Sequence, residues 1–416
     1  VGCSRTRLLL EAVLQTSKSR LPPVWLMGFI NAPLGIFGAV ALITLPQLLA
    51  ANGVPEERIA AITAIILTPG FASFIMAPLL DWRFSRRFYA VVLAVMTAGL
   101  LTASLLALRD LVLLTVLAFC GMWTTQLYVA AVGGWLGTIV PAEDKAKVGA
   151  WCAVANTAAG GVTAIFAITV LRGLPFWLGA ALLGLLILSP LAVFPWLPVK
   201  PADLKLASES FRDFIRDVLA LLKQPAVLLA LMLFCAPCAS FALTNALGGL
   251  GKDYGASERM VGLVGGAGVT VAGIFGSLIV PWIARRLPPR PLYLAIGAVG
   301  ALFTLALIVM PRTPTVFALA MLGENIFQAA AFSVEYIVIL RGISQDNPLA
   351  ATQYGLLTAA TTVPIAYMQA LDGIGYGKAG ILGSYLTDAM LSFAACVLLA
   401  LVLGYIRRRV RARAAA

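Results

Sequence analysis

Twelve apolar stretches, each of about 20 residues or more, follow one another between residues 22 and 406 with only short polar breaks between them. A bilayer core about 30 Å thick is crossed by about 20 helical residues, so this pattern predicts an all-α membrane protein with twelve transmembrane helices. Composition agrees: 61% of residues are hydrophobic and 12% charged, against about 25% charged in a soluble domain. The first stretch lacks a clear signal-peptidase site and continues at spanning length, so it reads as a retained helix.

The net charge of +12 raises the question of nucleic acid, and its distribution answers it. The basic residues gather in alternate short loops rather than in one patch or stripe. With the N-terminus placed in the cytoplasm, inside segments hold 23 of the 30 Lys and Arg and outside loops hold 7. The positive-inside rule therefore predicts that both termini are cytoplasmic.

The longest polar break, 198–225, carries Phe211, Phe214, Ile215, Val218, Leu219 and Leu222 at helical spacing among charged residues. It reads as a cytoplasmic linker with an amphipathic surface helix. The expected organisation is a tail at 1–21, a six-helix bundle at 22–197, the linker, a second six-helix bundle at 226–406 and a basic tail at 407–416. An internal repeat supports the two halves. Pairing Pro78 with Pro281 also pairs Arg83 with Arg286 and Arg87 with Arg290, and sets Pro141–Asp144 against Ser344–Asn347.

Two six-helix halves with a short basic loop after the second span resemble the major facilitator superfamily. That family's loop reads Gly-x-x-x-Asp-Arg-x-Gly-Arg-Arg. This chain has Ala77-Pro78-Leu79-Leu80-Asp81-Trp82-Arg83-Phe84-Ser85-Arg86-Arg87, with Ala77 and Ser85 where the family has glycines. The resemblance implies two pseudo-symmetric bundles and a cytoplasmic latch made by Asp81, Arg83, Arg86 and Arg87 with Arg286 and Arg290. A narrower resemblance, to the AmpG-type permeases, rests on Gly28-Phe29, Gly323-Glu324-Asn325, Ala351-Thr352-Gln353-Tyr354-Gly355, Asp372-Gly373 and Gly383-Ser384-Tyr385. It implies uptake of anhydro-muropeptides across a bacterial inner membrane. The same branch contains ferri-siderophore importers and acetyl-CoA transporters. Twelve spans rather than fourteen keep the siderophore reading open, and few intramembrane cations argue against acetyl-CoA.

A transporter of this layout needs polar groups near the midplane, between the halves. The stretch from Thr313 to Arg341 supplies the most costly ones. Glu324, Gln328 and Glu335 fall on one helical face, and Glu324 lies about 15 Å from the helix start. A carboxylate at that depth is expected to face an interior cavity. Without a counter-ion its charged form is disfavoured, which suits a residue that takes up and releases a proton. Glu324, Asp388 and Glu335 are the proton-coupling candidates, Glu335 with Arg341 as a possible partner. Asp372 is expected to pair with Lys378. Substrate-binding candidates are Asn31, Trp123, Gln126, Tyr128, Asn156, Asn325, Gln328, Tyr367, Gln369 and Tyr385.

Several classes are excluded. The chain has no histidine, which removes His-based acid–base chemistry, His metal ligation and Ser-His-Asp or Cys-His arrangements. A membrane acyltransferase therefore has little support, and no cofactor or metal is expected. No Gly-Lys-Ser/Thr phosphate loop is present, which argues against direct ATP drive. Cys235-Ala-Pro-Cys238 reads as helix packing. Paired glycines at 133–134, 160–161, 248–249 and 265–266, with Gly262-x-x-x-Gly266, mark close helix approaches. The expectation is a monomeric secondary transporter for a small-molecule solute and protons. Sodium coupling and drug or metabolite export are the open alternatives.

Overall fold

The computed structural model describes residues 21–199 and 211–415. The sequence-assigned tail up to Arg20, including Cys3, and Lys200 and Lys205 of the linker lie outside them. Among the described residues all regular structure is helical. Ten helices are long and apolar enough to cross a membrane, or eleven counting one bent pair.

The N-terminal half begins with a short helix, α1 (Val24–Phe29), and continues as α2 (Ala32–Ala51), α3 (Glu56–Ile75), α4 (Arg86–Leu106), α5 (Leu111–Ile139), α6 (Lys145–Gly173) and α7 (Phe176–Trp196). The break between α1 and α2 has a local cause. Pro33 has no N–H to continue the ladder, Leu34 N turns to Asn31 O at 3.4 Å, and the Ile30 carbonyl accepts a 2.7 Å hydrogen bond from the Tyr128 hydroxyl on α5.

An amphipathic helix, α8 (Phe211–Leu222), then meets α9 (Pro225–Cys235) at 65°. The sequence predicts a continuous span over 226–250, and the structure breaks it. Ala236 is extended, as the residue before a proline prefers, and Pro237 cannot donate. Phe241 is left-handed, with φ 45°. Other helices take up the exposed carbonyls. Tyr367 donates to Cys235 O at 2.9 Å, and the Cys396 thiol donates to Cys238 O at 2.9 Å. The C-x-x-C motif thus flanks a helix break, with Cys238 packed in the core as the sequence predicts.

The chain continues as α10 (Glu258–Ile283), α11 (Pro289–Ile308), α12 (Pro314–Gly342) and α13 (Ala350–Ala415). Sixty-six residues of helix would reach about 100 Å, over three bilayer cores. Ala379 and Gly380, the latter with φ 60°, divide α13 into two arms. These correspond to the eleventh and twelfth predicted spans.

The halves meet where α5 crosses the first arm of α13 and where α6 packs on α10 and α12. At the first crossing a Cβ on Gly134 would lie 2.5 Å from Ala351 N and 2.6 Å from its Cα. Only glycine lets these backbones approach so closely. Gly262 and Gly266 have nothing within 4 Å of a Cβ position. The predicted G-x-x-x-G contact is therefore absent there, and α10 instead presents Gly273 and Gly276 to α6 and α12.

Candidate transport site

Asp81 ends a short 3-10 turn (Ala77–Asp81) and is 7% exposed. Its Oδ1 accepts from Arg86 Nε at 2.7 Å and from Ala351 N at 3.2 Å. Its Oδ2 accepts from the backbone N–H and the hydroxyl of Thr352, both at 2.8 Å. Ala351 and Thr352 are the second and third residues of α13. The first N–H groups of a helix lack intrahelical partners and carry partial positive charge. Asp81 is therefore an N-terminal cap supplied from the other half of the protein. Arg86 completes the contact, donating to Asn347 O at 3.2 Å and Pro348 O at 2.8 Å.

The preceding helix end is held in the complementary way. Lys145, at the start of α6 and 5% exposed, donates to Ile343 O at 2.6 Å. Ile343 is the C-terminal cap of α12, where the dipole is negative and a cation is favourable. An anion and a cation from the N-terminal half thus cap the two helix ends that flank residues 343–349. Sequence reading placed Lys145 only among topology-setting charges. Its signal was its position at the first turn after Pro141-Ala142-Glu143-Asp144, beside the repeat partner of Ser344–Asn347.

The other predicted latch residues do not converge on Asp81. Arg83 stacks on the Trp82 ring at 5.1 Å and takes φ 66°, a conformation more natural to glycine. Arg286 stacks on Trp282 at 5.1 Å. Arg87 and Arg290 make no ion pair with Asp81; its ionic partner is Arg86.

Apart from the Asp81 contact, a cavity of about 100 Å³ lies between the halves. Gln126 and Asn156 line it from the N-terminal half, with Glu335, Tyr336 and Thr361 from the C-terminal half. Asn31 donates to the Tyr336 hydroxyl at 3.0 Å and to Cys152 O at 3.3 Å, bridging the halves at the α1–α2 break. Glu335 is 6% exposed, and its Oε1 accepts from Tyr293 at 3.2 Å. The expected pairing of Glu335 with Arg341 is absent; the carboxyl turns inward to the tyrosine.

Glu324 does not open into this cavity. It is fully buried within the C-terminal bundle, its Oε1 accepting from Thr304 at 2.5 Å and its Oε2 unpartnered. Asp388 and Asp372, each 3% exposed, lie within Coulombic range of it. One oxygen of Asp388 and both of Asp372 lack hydrogen-bond partners. The predicted Asp372–Lys378 pair is therefore not formed.

The remaining candidates divide by what they touch. Tyr128 is committed to the α1–α2 break, and Asn325 to its own helix through Met321 O at 2.8 Å. Gln328 and Tyr367 serve the broken seventh span, Gln328 through Thr244 at 2.7 Å. Tyr385 shares a 2.9 Å hydrogen bond with Tyr254. Trp123 donates to Met76 Sδ, and Gln369 is exposed. Three groups thus emerge, the cavity, the helix-break supports and the buried carboxyl cluster, while Asn325, Trp123, Tyr385 and Gln369 stand outside them.

The sequence profile described as Major Facilitator Superfamily matches residues 24–366. The chain belongs to the Major Facilitator Superfamily. Its fold is shared by solved transporters at low identity. The human organic anion transporter MFSD10 (TETRAN) superposes with a TM-score of 0.66 at 18% identity, covering 91% of this chain and 100% of that one. A bacterial homologue of the iron transporter ferroportin, outward-facing with soaked iron, gives 0.64 at 15%, covering 90% and 97%. The proton:xylose symporter XylE gives 0.64 at 13%, covering 90% and 94%. A search of curated protein sequences gives no match. The superfamily membership makes this chain a multi-pass membrane transporter rather than an enzyme.

Proposed function

We propose that this chain is a proton-coupled importer of a bulky polar solute, working by alternating access, with an anhydro-muropeptide as its substrate. The observation that carries the reading is the cavity between the halves, where Glu335 sits among polar groups from both. The Lys/Arg asymmetry makes the latch side cytoplasmic, so the closed latch leaves loading to the outer side. A volume of about 100 Å³ holds only a few waters at about 30 Å³ each. Substrate binding therefore requires the halves to rock apart, as in transporters built from two repeats.

Glu335 is the carboxyl that meets the substrate. A carboxyl without a counter-ion in a confined interior is costly as an anion, so proton occupancy and the access state become linked. Glu324, Asp388 and Asp372 form a second group on the outer side of Glu335 along α12 and α13, placed to pass protons inward. The substrate name rests on the AmpG-type motifs around Glu324, Tyr354 and Tyr385.

Uptake into proteoliposomes under an inward proton gradient tests both parts. Radiolabelled anhydro-muropeptide should accumulate, and a protonophore should abolish the accumulation. Accumulation of a ferric siderophore instead would keep the coupling and replace the substrate. Gradient-independent equilibration would overturn the coupling.

A further inference from the structure

Arg290 was expected at the latch, and the structure places it elsewhere. It lines a separate cavity of about 450 Å³ at the latch-side end of the C-terminal bundle. Arg341, at the last turn of α12, lines the same cavity. The other lining residues are apolar or small, among them Leu229, Pro289, Val338 and Leu403. No carboxylate lines it, and neither arginine is hydrogen-bonded or ion-paired among the described residues. The residues directly after Ile406, Arg407-Arg408-Arg409, add positive charge.

A second cavity, of about 420 Å³, continues from the first and shares Pro291 and Leu403 with it. It runs between α11 and the second arm of α13 and is lined by residues such as Leu294, Ala298, Val397 and Ala400, with no charged side chain. From Pro291 to Ala298 it extends about 10 Å along α11, away from the arginine level and into the apolar span.

We propose that these two cavities together form a binding site for one anionic phospholipid. Its phosphate lies between Arg290 and Arg341, and an acyl chain occupies the groove between α11 and α13. Two guanidinium groups are the natural partners of a phosphate, by bidentate hydrogen bonding as well as charge. An acyl chain fills an apolar groove that faces lipid. A water-soluble phosphate would leave that groove unused, and a zwitterionic lipid would bring its own headgroup cation up against two guanidinium groups. The site has a structural consequence. Arg341 lies two residues before Ile343, whose carbonyl Lys145 holds. A lipid on Arg341 therefore steadies the C-terminal end of α12 next to the latch.

Native mass spectrometry of the full chain in mild detergent tests the proposal, with phosphatidylglycerol and phosphatidylcholine titrated separately. Phosphatidylglycerol should bind at least tenfold more tightly, with one tight site. The Arg290→Gln/Arg341→Gln protein should lose that preference, and Leu403→Trp, which fills the junction of the two cavities, should lower occupancy with both arginines intact. Each variant is compared at an unchanged melting temperature. Equal retention of the two lipids, an unaltered preference in the double variant, or displacement of the lipid by inorganic phosphate alone would overturn it.

Discussion

Thr352 donates to Asp81 through both its backbone N–H and its hydroxyl, each at 2.8 Å, across 271 residues of sequence. The acceptor belongs to one half of the protein and the donor to the first turn of a helix in the other. The contact exists only while the two halves are together on this side. On the proposed alternating-access reading, this helix cap acts as part of a gate, and its strength biases the access equilibrium.

Replacing Asp81 with Ala removes the acceptor for three donors and leaves Arg86 without its ion pair. Hydrogen bonds to charged groups contribute about 1.5–3 kcal/mol each, and water replaces part of this when the gate opens. A net shift of about 2–3 kcal/mol toward the latch-open state is expected, roughly thirtyfold or more in population. Spin labels at Phe84 and Ser344, on opposite sides of the gate, should report a longer distance distribution in D81A than in the parent. An unchanged distribution would remove Asp81 from the gating account.

Lys145→Met tests the reciprocal cap. Its ammonium meets Ile343 O at 2.6 Å, and methionine keeps the stem without the charge. The same pair of labels should show an opening smaller than that of D81A, since one hydrogen bond is lost instead of three. Lys145→Arg, which keeps a donor and a charge, should recover part of the closed population.

Gly134→Val addresses backbone approach rather than charge. Its Cβ would sit 2.5 Å from Ala351 N, against backbone that cannot swing aside. The variant should fold, insert and remain unable to close the latch side, so uptake is abolished while the long-distance state dominates. Normal uptake by G134V would mean that the α5–α13 contact is not part of the cycle.

Tyr128→Phe leaves the Ile30 carbonyl without its 2.7 Å donor. An unsatisfied buried acceptor costs about 1–3 kcal/mol. A lower melting temperature in detergent is expected, with the substrate preference unchanged. Equal melting of the two proteins would show that the α1–α2 break is satisfied without Tyr128.

The fold was legible because apolar span length and helical backbone pairing leave few solutions in a bilayer. Hydropathy could not show where spans break, because breaks depend on single residues such as Pro237 and on distant donors such as Tyr367 and Gln328. Asp81 was readable from the loop motif, and Arg86 with it. Its true partners, backbone N–H groups at Ala351 and Thr352, carry no side-chain signature. Glu324 and Glu335 share a helical face by spacing. Which of them meets the cavity depends on how α12 sits against α11 and α13, and in the structure it is Glu335. Arg290 followed the repeat faithfully and still went to a different surface, because pseudo-symmetry repeats positions and not partners.

The central claim is that the carboxyl in the inter-half cavity links proton movement to substrate movement. Substrate-triggered proton uptake in proteoliposomes, measured with anhydro-muropeptide for the parent and for Glu335→Gln, tests it most directly. The account predicts an inward proton signal in the parent and none in E335Q. The variant should still exchange labelled for unlabelled substrate, because the cavity and gate remain. A proton signal of normal size in E335Q would contradict the claim.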